Sequence, residues 1–466
     1  MQSQIFRRIL GYAQLIPQLS ALNYATAKDL IKKLYDINLG TPDATFWSLC
    51  DIIWNSDQQQ ESLTNWLKDQ SSIFIPDCDP FLQALFKNDI DQAIESGRTI
   101  SEEIPLILVS PRTFELKNKS PPDFLKYKSF KLGNDQLSGD SIWSLLLGDI
   151  TPLQRYDLHW LLLFAIFTWY SSTDNLDFRS MFNRFSVLNN DSLSRQESES
   201  PIFCLLQHYS DSTISFADIS SKLPPIAGLF FLSISNQFEP FPTFDYVYSL
   251  SLKLSIEQLN SCNLWQYSAF LLHTYEDISL LTQLLERFCT TFPDITEQEH
   301  FVLSFEGFPI ETYYQIKAQK LYFASQVEHD YSKKMHFLAK SIDFNFMINS
   351  IENAHLLIMN EYLPLMGNYE EGEEQLFNWC NVISNISDLD NEEIKNDFQM
   401  LELYKKVSEN NEISEDEMKF IGENLENGWS CFAIRRKYCH LCMKQIGAFE
   451  ALVRVDAVPK DELLSL

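Results

Sequence analysis

Glycine is scarce in this 466-residue chain, with 13 against 35 phenylalanines. Such scarcity argues against turn-rich strand architectures and Gly/Pro-rich disorder. Positive charge is also short: 36 Lys and Arg face 64 Asp and Glu, a net charge of −28. That field repels phosphate backbones and anionic lipid, so no direct nucleic-acid or membrane-surface binding is expected, while neutral or basic protein partners remain compatible. The strongest hydrophobic run, "LHWLLLFAIFTWY" at 158 to 170, has 13 residues. A membrane span needs about 20, so this run reads as a buried core helix. After Arg7 and Arg8, "ILGYAQLIP" leads to no small-residue cleavage site and no targeting peptide is expected. "KDEL" at Lys460 to Leu463 is followed by Leu464, Ser465 and Leu466, which deprives it of retention meaning.

Catalytic signatures are missing as well. No G-x-S-x-G, Walker-type, G-x-G-x-x-G, H-E-x-x-H or D-D-x-x-D arrangement occurs. The last is what an all-α enzyme of the isoprenoid-synthase kind needs to hold magnesium and diphosphate. Cys439-His440-Leu441-Cys442 has zinc-ligand spacing, but no second pair lies nearby to close a tetrahedral site, and Met443 stands where a c-type haem needs His. Asp388-Leu389-Asp390-Asn391-Glu392 begins like a calcium loop, yet Glu393 takes the turn-making Gly position and Gln399 that of the bidentate Glu. It reads as a solvated acidic linker. The nine cysteines are mostly scattered singly through apolar stretches, the usage of a reduced chain in which Cys is a small hydrophobe. Catalytic, cofactor-binding and metal residues are accordingly expected to number none, with no cofactor and no enzymatic activity; partner-binding residues stay unassigned.

What is present is helical periodicity. Ile278, Leu281, Leu284, Leu285 and Phe288 share one face, and Thr296 followed by Glu299 forms a capping-box start. Pro309 suits the first turn of the next helix, and Pro364 is expected to close the helix after Asn353. Residues 249 to 273, "SLSLKLSIEQLNSCNLWQYSAFLLH", alternate like a strand in their first half, but Tyr248, Leu252 and Ile256 are also spaced by four. Two helices are expected there, Asn263 capping the second, with Cys262 and His273 as packing residues. The aromatics Trp160, Phe164, Phe167, Trp169, Tyr170, Phe230 and Phe231 read as helix-to-helix core. Residues 112 to 140, 186 to 200 and 234 to 243 read as loops, and from Tyr369 to Gly428 there are 17 acidic residues against 4 basic. The expected organisation is an N-terminal helical arm at 1–45, a body at 46–365 and an acidic C-terminal helical tail at 366–466.

Several stretches, in order, resemble the nucleoporin-96 family, the C-terminal product of the 98/96 nucleoporin precursor and its fungal scaffold counterpart. "FWSLCDIIW" (Trp47, Leu49, Cys50, Trp54) is similar to the family's Trp-x-Leu-Cys helix, and "LTNWLKD" (Trp66, Leu67) to its Trp-Leu segment. "IDQAIESGR" (Ala93, Ser96, Gly97) and "SIWSLLLGD" (Ile142, Leu145, Leu146, Gly148) resemble helices closing on Gly. "FAIFTWY", "CLLQHYSD" (Leu205, Leu206, Tyr209, Ser210, Asp211), "LWQYSAF" (Leu264, Trp265, Tyr267, Phe270) and "IKAQK" (Lys317, Ala318, Lys320) continue the likeness to about residue 364.

The resemblance implies an all-α, irregular helical solenoid folded back on itself through trunk, crown and tail, as in ancestral coatomer element scaffolds. It implies a structural subunit of the Y-shaped complex of the nuclear pore at the nuclear envelope, supporting pore assembly, mRNA transport and protein transport through protein–protein contacts. The implied partners are the 107-type (fungal 84-type) nucleoporin on the crown, other Y-complex nucleoporins on the tail, and the WD-repeat β-propeller shared with COPII coats. The strand-rich insertion that completes that propeller has no counterpart in residues 1 to 40, which read as helix, and the His-Phe-Ser processing site is also missing. The alternative is a cytoplasmic vesicle-coat or trafficking adaptor of the same helical architecture.

Overall fold

The computed structural model describes residues 2–15, 23–98, 120–171, 177–189, 199–366, 372–383, 391–409, 414, 416–417 and 419–420. Among them the protein is all-α, an irregular succession of helices interrupted by one small hairpin. Packing divides the chain between Leu271 and Leu272 into two compact units. Boundaries expected at 45/46 and 365/366 are not where this division falls.

In the first unit the helices Gln2–Leu15, Tyr24–Ile37, Pro42–Asn55 and Gln59–Ser71 pack in succession. Two of them open where the sequence offers a cap: the Asn23 side chain accepts from the Thr26 N–H, and Thr41 caps Pro42–Asn55, whose first residue is the favoured proline. Trp160–Tyr170 is apolar all round and accordingly buried on nearly every side, against Gln59–Ser71, Pro80–Phe86 and Phe178–Asn189. The chain then turns back, so that Pro225–Phe238 lies against Gln2–Leu15 and Tyr24–Ile37. Ring contacts hold this return: Tyr12 on Phe230 at 5.7 Å, Phe46 on Phe231 at 5.4 Å and Trp54 stacked on Phe238 at 5.1 Å. Tyr12, Leu30, Ile31 and Leu34 are buried in this core.

Two local expectations are corrected here. Residues 112 to 140 were expected to be loop, but Ser129–Leu132 and Asp135–Ser138 form an antiparallel hairpin turning at Gly133 and Asn134, with Gly133 at φ +59°. A two-residue Gly-Asn link between short alternating runs is a hairpin signal. Cys78 bridges to Leu132, extending the ladder. Asn263, expected to open a helix, closes one: it sits at φ +58° after Phe244–Ser261, and the Leu264 N–H returns to the Leu259 carbonyl at 2.9 Å. That six-to-one bond is the Schellman ending. Asn88, Asn349 and Glu276 close helices in the same left-handed conformation. A chain poor in glycine uses asparagine where φ must be positive. Glutamate is the misfit in this set, combining left-handed strain with a carboxylate beside exposed helix carbonyls. Glu276→Gly is expected to raise stability by about 0.5–1 kcal/mol, less than the strain relieved because glycine also loosens the unfolded chain. Urea unfolding would measure it.

Gly148 needs glycine twice over. Its φ is +87°, and a Cβ there would stand 2.5 Å from Ser171 Cα. This is the glycine that closes the Gly139–Leu146 helix.

The second unit runs through Ile278–Phe288, Glu297–Leu303, Ile310–Val327 and Tyr331–Met347, the last two packed as a long hairpin. Ile351–Leu357 then passes into a π turn, Ile358–Tyr362, and on into Leu363–Met366. Pro364 was expected to stop a helix; instead it lies inside the continuation. Proline offers no N–H and crowds the preceding turn, and a π turn widens the spiral just before it. Glu373–Ile383 and Glu392–Ser408, from the acidic stretch, share one core with the preceding helices: Leu338, Ile342 and Tyr362 meet Leu376, Trp379, Phe398 and Leu401. Acidic composition did not prevent this, because the charges fall on the outer faces.

Candidate functional site

Each resemblance motif that lies among the described residues contributes to the interior. Trp47 is fully buried and donates from Nε1 to the Tyr12 hydroxyl at 3.1 Å, while Trp66 donates to Ser48 Oγ at 2.9 Å. Cys50, Leu67, Ala93, Ile142, Leu145, Leu205, Leu206 and Trp265 are buried, and the Tyr209 hydroxyl reaches Gln59. Phe230 and Phe231 are likewise core, as are Trp160, Phe164, Phe167, Trp169 and Tyr170. His273 Nε2 is 3.0 Å from the Glu306 carbonyl with its ring stacked on Phe305, and Cys262 packs at the edge of the first core. Cys439, His440, Cys442, Asp388 and Asp390 lie outside the described residues. Among the described residues no group of three or more His, Cys, Asp or Glu is placed to hold a metal ion, and no helix is long and apolar enough to cross a membrane.

Burial raises the thiol pKa of Cys78 to about 11 and those of Cys289 and Cys380 to about 12, with nearby carboxylates adding to the effect. These thiols stay protonated near neutrality and are poor nucleophiles.

Two places depart from ordinary core packing. The first is a buried ion pair in the second unit: Lys317 Nζ lies 2.9 Å and 3.1 Å from the two Glu299 oxygens, and both side chains are 0% exposed. Glu299 is the N3 residue of the expected capping box, so its carboxylate already accepts from the Thr296 N–H at 2.8 Å. It also accepts from the Thr290 N–H at 2.9 Å, and Lys317 donates to the Thr290 carbonyl and hydroxyl. Lys320 Nζ donates to the Cys289 carbonyl at 2.6 Å. Burial by itself would push the Glu299 pKa up; the Thr296 N–H, the Lys317 ammonium and the Thr290 N–H together hold it below the ordinary carboxylate value. The buried Tyr313 hydroxyl is pushed the other way, by burial first and then by the same negative charge.

The consequence is local rigidity. Both ends of the 290–296 connection are pinned to the Glu299 carboxylate, the first end also by the Lys317 and Lys320 ammonium groups, and the middle projects: Phe292 is 68% exposed. Beside it a groove of about 430 Å³ lies between Thr291, Phe292 and Pro293 on one side and Ser332, Lys333, His336 and Phe337 on the other.

The second place is the Phe244–Ser261 helix of the first unit, which carries apolar side chains on its solvent face as well as on its inward face. Ser251 and Ser255 face inward, Ser255 returning its hydroxyl to the Ser251 carbonyl at 2.7 Å. Small residues let this helix lie close along Pro225–Phe238, and Gln258 accepts from the Ile226 N–H at 3.1 Å. Tyr248 and Leu259 face inward with the serines and Leu252 packs against the core, while on the opposite face Tyr246 is 77%, Leu250 52% and Leu254 45% exposed. Spaced by four, they make one apolar line along the solvent face. Sequence periodicity located the helix but not its inward face, because serine and leucine alternate on it.

The chain matches no protein-family model and no curated protein sequence.

Proposed function

We propose that this protein is a non-enzymatic scaffold that assembles through helical surfaces, a nucleoporin of the nucleoporin-96 kind in the Y-shaped complex of the nuclear pore. The observation that supports a scaffold is the solvent-facing apolar line Tyr246, Leu250 and Leu254 of the Phe244–Ser261 helix. Apolar side chains left partly in water cost solvation that a bound partner would recover, at roughly 25 cal/mol per Å² of apolar surface covered. The specific family rests on the ordered motifs from Trp47 to Lys320 and on the all-α fold. In this reading a 107-type (fungal 84-type) nucleoporin and other Y-complex subunits are the partners, and the nuclear envelope is the location. The propeller is not assigned a seat on residues 1–40, of which Tyr12, Leu30, Ile31 and Leu34 pack in the first unit's core.

The test is reconstitution with the 107-type nucleoporin of the same organism, together with imaging of the tagged chain. A stable complex and a nuclear rim are expected. Leu250→Glu with Leu254→Glu should leave circular dichroism and unfolding unchanged, since both side chains already face solvent, and weaken the complex at least about tenfold. No complex with the wild-type chain would overturn the nucleoporin reading, and vesicular localisation would favour a coat adaptor in its place.

A further inference from the structure

The groove beside the 290–296 connection is not used by the scaffold reading. We propose that it is a docking site for a short peptide segment of a partner protein in which one aromatic side chain is flanked by acidic residues. Size and walls set the anchor: about 430 Å³ lined by Phe292, Pro293 and Phe337 admits one large planar side chain against apolar walls. Exposed aromatic surface on an ordered connection is unusual in a chain that otherwise buries most of its aromatics, and here the connection is held at both ends. The Glu299 carboxylate takes the Thr290 and Thr296 N–H groups, and Lys317 and Lys320 take the carbonyls of Thr290 and Cys289. A rim ordered before binding loses little conformational freedom on binding.

Charge sets what flanks the anchor. The whole chain carries −28, yet the residues lining the groove include Lys333 and His336 and no Asp or Glu. Lys334 follows Lys333 in the chain, whereas Lys317 and Lys320 bond inward. Lys333 lies 4.0 Å from Asp330, both well exposed, so the pair is weak and the ammonium remains available. A basic segment would meet Lys333 on entering, and a purely apolar one would leave the lip's cations without partners. An acidic segment lacking a ring would leave the groove walls bare.

The experiment is selection of a displayed library of random dodecapeptides on the whole chain, counter-selected on Phe292→Ser. Phe292 is a solvent-facing ring on a connection, so this variant should fold, and circular dichroism verifies it. Enriched peptides are expected to carry Trp, Phe or Tyr within two residues of at least two Asp or Glu. The best of them, labelled and measured by fluorescence anisotropy, should lose at least about tenfold in affinity to Phe292→Ser and to Lys333→Glu. Exchanging its acidic residues for lysine should restore binding to Lys333→Glu alone. Enrichment of peptides without the acidic-aromatic pattern, binding to either variant as tight as to the wild-type chain, or no enrichment would overturn the proposal. A Phe292-dependent dimer in sedimentation would also overturn it, by giving the groove to a second copy of the chain.

Discussion

Lys317→Met is expected to destabilise the protein by about 3–5 kcal/mol, because it leaves the Glu299 carboxylate buried with no cation beside it. The carboxylate keeps its N–H donors from Thr290 and Thr296, so the loss is of charge compensation and of the ties to Thr290, not of the whole cap. Replacing both partners, as Glu299→Leu with Lys317→Met, should recover much of the loss, since apolar groups of similar volume need no solvation in a closed interior. A double-mutant cycle in urea would read this directly, with coupling well above the range of exposed pairs. Hydrogen exchange should localise the damage to the 290–296 connection and the start of Glu297–Leu303.

The same pair gives a pH dependence with a definite sign. Folding holds the Glu299 pKa below its ordinary value of 4.5. A depressed acid contributes stability that is fully present above the unfolded value and is lost as pH falls through the folded one. The gap between wild type and Glu299→Gln should therefore be constant near neutrality and shrink below pH 4.5. A gap that widens on acidification would contradict the placement of the charge.

Trp47→Ala is expected to cost about 3–5 kcal/mol through lost burial and the cavity left behind. Trp47 is fully enclosed, with Phe46 at 5.4 Å and Phe231 at 6.4 Å, and its indole N–H is bonded to Tyr12. Three parts of the chain meet at this ring, so its removal should loosen the return of Pro225–Phe238 onto the N-terminal helices. Trp47→Phe keeps most of the volume but strands the Tyr12 hydroxyl, whose pKa burial raises. It should cost less, about 1–3 kcal/mol, chiefly for the lost hydrogen bond. Faster proteolytic cleavage near residues 239 to 243 in Trp47→Ala, and not in Trp47→Phe, is the accompanying observation.

Legibility in the sequence followed the range of the forces involved. The capping box at Thr296 and Glu299 could be read because its bonds join residues three apart. The helix at Phe244–Ser261 could be chosen over a strand because four-residue spacing was contained in the alternation. Glu299 and Lys317 were each singled out, one as a cap and one as a motif residue, but their meeting 18 residues apart across two helices had no local trace. The groove was equally invisible, since Phe292 and Phe337 are brought near only by the packing of separate elements. The hairpin at Ser129–Ser138 was missed although Gly133-Asn134 announces it, because Lys and Pro nearby suggested plain loop.

The amino-acid pattern by itself determined that the chain is helical, that a capping box opens a helix at Thr296, and that Trp160 and Trp169 are interior, because propensity, capping and amphipathic spacing act within a turn or two. Tertiary structure decided that Pro225–Phe238 returns to Tyr12 and Phe46, that acidic helices share a core with their neighbours, and that Ser251 and Ser255 face inward on Phe244–Ser261 while Leu250 and Leu254 face outward. The inward face of a helix depends on how closely the opposing surface approaches, and that surface is supplied by residues far away in the chain.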